Sequence, residues 1–212
     1  MSMLGISVTR TANAGVLIEM DGKYILLDGV CEPLPPYLGT PLVLREALTN
    51  EMPDVLAFTH EHPDHYDPNY TNLYKEKTLR SVYGPESLPF YELGNGIEMH
   101  LVKTRHIGKT DIPHVSYLIK GSKTVWFMGD ASPLSLNKMA EFEKPDLLIV
   151  PFAYVITSSA WRMTKELGSN KILLVHMPNK EDDREGLWNM VSHTVGEDDS
   201  LFVLGVGEKA SV

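Results

Sequence analysis

Apolar positions recur along the chain in short runs separated by turn-forming dipeptides. Gly15-Val16-Leu17-Ile18-Glu19-Met20 and Lys23-Tyr24-Ile25-Leu26-Leu27 flank Asp21-Gly22, a pair suited to a two-residue reversing turn. Residues 4–30 therefore read as the opening hairpin of a sheet, with Asp28 and Gly29 ending its second strand. A proline-rich loop, 31–39, follows. Thr40-Pro41 predicts an N-cap and first helical position for a helix to residue 50. The apolar run 54–59 reads as a buried strand. Downstream the pattern predicts a helix over 69–77, a strand over 79–83 and a helix opened by Pro85-Glu86-Ser87 running to residue 93. It continues with a turn at Gly94-Asn95-Gly96, a strand over 97–104 and a hairpin of 115–119 with 124–128. Ser132-Pro133 predicts the cap of a helix to 143. Strand 147–150, helix 158–167, strand 171–175, helix 182–193 and a closing strand 200–204 complete the series. No repeat, low-complexity tract or linker interrupts it, so the expectation is one α/β domain over residues 1–212.

The densest chemistry lies just after the 54–59 strand, in Thr59-His60-Glu61-His62-Pro63-Asp64-His65-Tyr66-Asp67. A tight loop leaving a strand can turn His60, His62, Asp64 and His65 towards one spot. Imidazole and carboxylate at this density read as a metal site rather than a solvated turn.

The bulk numbers narrow the choice of partner. Hydrophobic content of 43% and charged content of 22% are those of a soluble globular protein. With 19 Lys and Arg against 28 Asp and Glu, the formal charge is −9, which lacks the electrostatic footprint of a general nucleic-acid binder. The longest apolar run, 147–156, contains a proline and is too short to span a bilayer. No secretion pattern opens the chain. Cys31 is the sole cysteine, so no intrachain disulfide forms, and a reducing cytoplasm is the expected location.

The spacing His60-x-His62-x-Asp64-His65 resembles the signature of the metallo-β-lactamase superfamily. That family adds a His, then an Asp ending a strand, then a last His ending another; His106, Asp130 and His176 follow predicted strands in that order. The resemblance implies an αβ/βα sandwich of two mixed sheets with outer helices. It also implies a two-metal site. His60, His62 and His106 would hold one ion, Asp64, His65 and His176 the other, and Asp130 would bridge them. Donors without thiolate suit Zn2+, with Mn2+ or Fe2+ as alternatives. In such sites a bridging hydroxide attacks a carbonyl or phosphorus, with Asp64 orienting it as well as binding metal. Two divalent ions against Asp64, Asp130 and hydroxide leave about +1 at the centre, which points to a small anionic ester, lactone or phosphodiester.

Details of the motif separate branches of the family. Asp130 stands where enzymes that destroy β-lactam antibiotics often carry cysteine. His62 stands where flavo-diiron oxidoreductases carry Glu. The chain looks most like the small hydrolases related to the ascorbate-6-phosphate lactonases.

His114, in Ile112-Pro113-His114-Val115, is a candidate proton donor or substrate contact. Tyr37 and Tyr154 are candidate pocket walls on the loops 31–39 and 151–157, which share specificity with 108–114. Cys31 and Trp161 read as packed residues, and His100 and His193 as bystanders. Two other classes remain in play. One is a mononuclear iron dioxygenase acting on persulfides, which the complete ligand set opposes; the other is a non-catalytic metal-binding module. A nuclease is disfavoured by the acidic charge. Oligomeric state is not legible.

Overall fold

The computed structural model describes residues 5–35, 37–108 and 111–212. Parts of the 31–39 and 108–114 loops, and residue 4 of the opening stretch, lie outside that set. Two mixed sheets stack face to face. The first runs in the order β13 (Lys209–Ser211), β1 (Ser7–Arg10), β2 (Val16–Met20), β3 (Lys23–Leu27), β4 (Val55–Ala57), β5 (Val82–Tyr83). The second runs β12 (Leu201–Val203), β11 (Lys171–Val175), β10 (Leu147–Pro151), β9 (Thr124–Phe127), β8 (Val115–Lys120), β7 (Ile97–Lys103), β6 (Phe90–Gly94). The helices are α1 (Leu42–Asn50), α2 (Pro68–Thr78), α3 (Leu136–Met139), α4 (Ser158–Glu166) and α5 (Leu187–Val195).

Side-chain parity explains the layers, because successive strand residues face opposite ways. Val8, Ile18, Ile25 and Leu27 of the first sheet meet Met99, Tyr117, Phe127, Ile149 and Leu173 of the second in one central core. The alternate residues of the second sheet, Leu118, Trp126, Leu148, Val150 and Leu174, pack outward against Leu136 and Met139 of α3 and Leu187 and Val191 of α5. On the far side Leu26 and Leu56 meet Leu48 of α1 and Tyr70 and Tyr74 of α2. Strands buried on both faces, flanked by amphipathic helices, give the expected αβ/βα sandwich.

The structure departs from the sequence pattern at five places. Residues 90–94 form an edge strand, not a helix: Tyr91 and Leu93 are half-buried while Phe90, Glu92 and Gly94 are exposed, a period of two. The helix after Ser132-Pro133 shrinks to a 3-10 turn and the four residues of α3. The helix α5 starts at Leu187, because the Asp183 carboxylate accepts the Leu187 and Trp188 N–H groups and acts as its cap. Strand β13 is too short and polar to announce itself, and it forms by pairing with β1, Ser7 opposite Ser211. At α1, Thr40 does not cap the helix; its hydroxyl donates to the Gly29 carbonyl and accepts the Cys31 N–H, closing the proline-rich loop.

No helix among the described residues is long and apolar enough to cross a membrane.

Candidate metal centre

Four strand ends converge at one edge of the sandwich. Past β4, His65 and Tyr66 both donate their N–H to the His62 carbonyl at 2.9 Å, a tight turn that faces His60, His62, Asp64 and His65 inward. Asp67 closes that turn by accepting Asn69 and Tyr70 N–H as the cap of α2. The loops after β7 and β9 are tied by an isolated bridge, His106 with Ala131, and by Ile107 N–H donating to Asp130 O at 2.8 Å. Gly129 turns the chain into Asp130 at φ +52, and a Cβ there would lie 2.5 Å from Thr59. His176, just past β11, has φ 63, a conformation uncommon for a side-chain-bearing residue and held here by its N–H donating to Asn13 O at 3.0 Å.

These turns bring His60, His62, Asp64, His65, His106, Asp130 and His176 together. His60 Nε2 lies 2.9 Å from His62 Nδ1 and 3.3 Å from His106 Nε2. On the other side His65 Nε2 is 3.5 Å from Asp64 Oδ2 and His176 Nε2 is 3.2 Å from the same oxygen. Asp130 stands between, with Oδ1 3.5 Å from His65 Nε2 and Oδ2 3.8 Å from His106 and 3.6 Å from His176. His60–His62–His106, His60–His65–Asp130 and Asp64–His65–His176 each gather their donor atoms within 4.8 Å.

The tautomers follow from the outer contacts. The Thr59 hydroxyl donates to Asp28 Oδ2 at 2.7 Å, so it accepts from His60 Nδ1 at 2.9 Å. His65 Nδ1 donates to the same Asp28 oxygen at 2.8 Å, and His106 Nδ1 to Ile107 O. With Nδ1 engaged in this way, each of these three rings presents Nε2 to the centre, the arrangement a metal-binding His requires. Inside, His65 Nε2, His176 Nε2 and Asp130 Oδ1 are buried with no hydrogen-bond partner. Buried polar atoms are seldom left so, and a cation among them satisfies all three. The residues fit divalent metal.

The electrostatics agree. Burial alone would depress His65, but the Asp130 and Asp28 carboxylates override it and hold its pKa well above the usual imidazole range. Burial would raise Asp130, but His65 and His176 hold it well below the carboxylate range. His60 and His62 are pushed down, chiefly by burial. The carboxylates thus favour positive charge between them, while burial keeps His60 and His62 neutral.

Around the centre stand groups that the linear pattern did not single out. Asn13 Nδ2 donates to Asp64 Oδ2 at 3.0 Å. Arg10, 3% exposed, donates to the carbonyls of Ala12, Asn13, Met177 and Leu204. It clamps the Asn13 loop to the His176 loop; burial lowers its pKa to about 10, which leaves it charged at neutral pH. A readable signal existed for two of them: Arg10 is in phase with core-facing Val8, and Asp28 ends an apolar strand. Asn13 carried none.

His114 is 4% exposed and both of its nitrogens are engaged. Nε2 accepts Asp130 N–H at 3.1 Å and Nδ1 donates to Thr104 Oγ1 at 2.8 Å; Thr104 then donates to Ser116 and Ser116 to Met128 O. Burial pushes its pKa down to about 3. Tyr154 is wholly buried with its hydroxyl on Ser132 O, so it is core and not a pocket wall. Tyr37 sets its ring edge-on to His176, centroids 4.5 Å apart. Cys31 is packed, its thiol pushed up to about 11 by burial. His100 sits on β7 beside Glu98, away from the centre.

Cavities flank the centre on two sides. One, about 560 Å³, begins at Tyr37 and is walled by Pro33, Pro35, Pro178 and Leu187. The other, also about 560 Å³, includes His62, Phe58, Tyr66 and Pro113.

Two packed sheets with strand-end histidines and carboxylates gathered in a buried cluster of unpartnered donor atoms define a metallo-hydrolase scaffold. Residues 7–176 match the model of the beta-lactamase superfamily domain, and the chain belongs to that family. Solved structures share the fold at low identity. A possible metal-dependent hydrolase from Veillonella parvula superposes with a TM-score of 0.72 at 17% identity, over 97% of this chain and 99% of that one. The isothiocyanate hydrolase from Delia radicum gut bacteria gives 0.69 at 16%, over 96% and 98%. A metallo hydrolase from the archaeon Ignicoccus hospitalis gives 0.67 at 18%, over 98% of each chain. No curated protein matches the sequence.

Proposed function

We propose that residues 1–212 form one hydrolase domain that binds two divalent ions, Zn2+ foremost, and cleaves an ester, lactone or phosphodiester bond in a small molecule. The observation that carries this reading is the set of inward, unpartnered atoms His65 Nε2, His176 Nε2 and Asp130 Oδ1, joined to the His60–His62–His106 cluster through His60, which also groups with His65 and Asp130. His60 and His106 through Nε2 and His62 through Nδ1 would hold one ion; Asp64, His65 and His176 would hold the other, with Asp130 common to both. When bound, such a pair supplies water activated at neutral pH and a Lewis acid for the electrophile's oxygen. Asp64 is fixed by the Asn13 amide, which leaves its carboxylate in place to orient the attacking water. His114 acts by positioning: it receives the Asp130 N–H and so fixes the backbone that carries the shared carboxylate. Among the family's branches, the ligand pattern still favours kinship with the ascorbate-6-phosphate lactonases, and a cytoplasmic setting accords with the single packed thiol.

Inductively coupled plasma mass spectrometry on protein purified without chelators tests the reading. Two zinc or manganese ions per chain, with turnover lost in Asp64→Ala and Asp130→Ala, is the expected result. One iron per chain with oxygen uptake on glutathione persulfide would replace it with the dioxygenase reading.

A further inference from the structure

The Tyr37 cavity lies directly beside the centre, since the Tyr37 ring that walls it also packs on His176 at 4.5 Å. Its walls are stiff. Pro33, Pro35 and Pro178 have φ fixed by their rings, and the Thr40 hydroxyl ties the loop back to Gly29 and Cys31. A preformed apolar wall spares the ordering cost that a flexible loop incurs on binding. Another part of its lining differs in chemistry: Asp182, Asp183 and Glu185 stand there with Arg184, a net charge opposed to an anionic guest. Asp183 is already committed to capping α5.

Resting on the hydrolytic reading above, we infer that this cavity receives an uncharged, apolar acyl arm of the substrate. The site then prefers neutral esters or lactones over the anionic substrates that the charge of the centre suggests. Hydrolysis adds water across the acyl C–O bond: the acyl carbon takes the hydroxyl, and the leaving alcohol takes the remaining proton. Only the acyl arm needs housing when the alcohol is methanol, so methyl esters interrogate this cavity alone.

The test measures kcat/KM of the metal-loaded protein on methyl acetate, methyl butanoate, methyl hexanoate and monomethyl adipate, each divided by its rate with hydroxide ion. The expected result is a rise of about fourfold per methylene buried along the neutral series. Monomethyl adipate, matched in length to the hexanoate, should fall about tenfold below it, as one or two like-charge contacts near water would produce. Asp182→Asn/Glu185→Gln should narrow that gap several-fold, and Tyr37→Ala should flatten the chain-length slope through KM. A flat slope, or preference for the adipate, overturns the inference while hydrolysis itself stands. Absence of turnover on every ester overturns the ester reading instead. Binding then decides the cavity on its own: hexanamide titration should shift the NMR resonances of Tyr37, Leu38 and Leu187, and shifts elsewhere or none would overturn the assignment.

Discussion

Removing the Arg10 guanidinium should detach one half of the metal site from the other. Arg10 is buried and has no carboxylate partner among the described residues; its donors go to four carbonyls at 2.9–3.1 Å. Two of these, Asn13 O and Met177 O, belong to the loops that present Asn13 and His176 to Asp64. Hydrogen bonds from a charged donor contribute about 1.5–3 kcal/mol each, and the cost of burying the cation offsets a large part of that sum. Arg10→Met should therefore destabilise the metal-free protein by about 3–5 kcal/mol, read by urea unfolding. On the proposed two-ion reading, affinity for the ion assigned to Asp64, His65 and His176 should fall about 10–100-fold, the usual consequence of losing outer support. The ion assigned to His60, His62 and His106 should be retained, because Thr59 and the Ile107 carbonyl hold the His60 and His106 rings independently of Arg10. Arg10→Lys keeps the charge and stem but not the fork, so it should fall between, and it supplies the answer if the Met variant does not fold. The assay is metal content against a competing chelator. Loss of both ions together, or equal retention of both at an unchanged urea midpoint, would refute the reasoning.

Asp28 should behave as the outer support of both clusters, since it accepts Thr59 N–H, the Thr59 hydroxyl and His65 Nδ1. Asp28→Ala is expected to cost about 2–4 kcal/mol and weaken metal about 10–100-fold; calorimetry with unchanged zinc affinity would dismiss that role. Gly129→Ala combines a left-handed φ of +52 with a Cβ 2.5 Å from Thr59, so Thr59 must leave His60. A loss of about 2–4 kcal/mol in thermal unfolding is expected, and a neutral substitution would show that the turn relaxes freely. His114→Asn should destabilise the fold by about 1–3 kcal/mol by orphaning Asp130 N–H. Both limbs of its pH–rate profile should persist; loss of one limb at full metal content would restore His114 as a proton donor.

How much of this was legible in the sequence follows from how each part is encoded. The candidate ligand motif 60–65 is local: one tight turn carries four potential donors, and the spacing states that directly. His106, Asp130 and His176 were legible because each follows an apolar run, and a strand end is a place that sequence can mark. The αβ/βα layering came from the resemblance, since apolar periodicity fixes which strands are buried on two faces but not which sheet each joins. Residues 90–94 were misread because Pro85-Glu86-Ser87 mimics a helix start, while the alternation of Tyr91 and Leu93 with exposed neighbours says strand. The supporting shell was hidden for a stronger reason. Arg10 reaches Leu204 across 194 positions, and its acceptors are backbone carbonyls, which every residue type possesses. No residue identity at 12, 13, 177 or 204 announces such a contact. What the sequence does hold is a conflict: a charged side chain on the core-facing phase of β1, in step with Val8. A buried charge is tolerated only where its donors are satisfied, so a phase conflict of this kind points to a dense polar contact nearby. Here that contact joins the two loops that complete the Asp64–His65–His176 side of the centre.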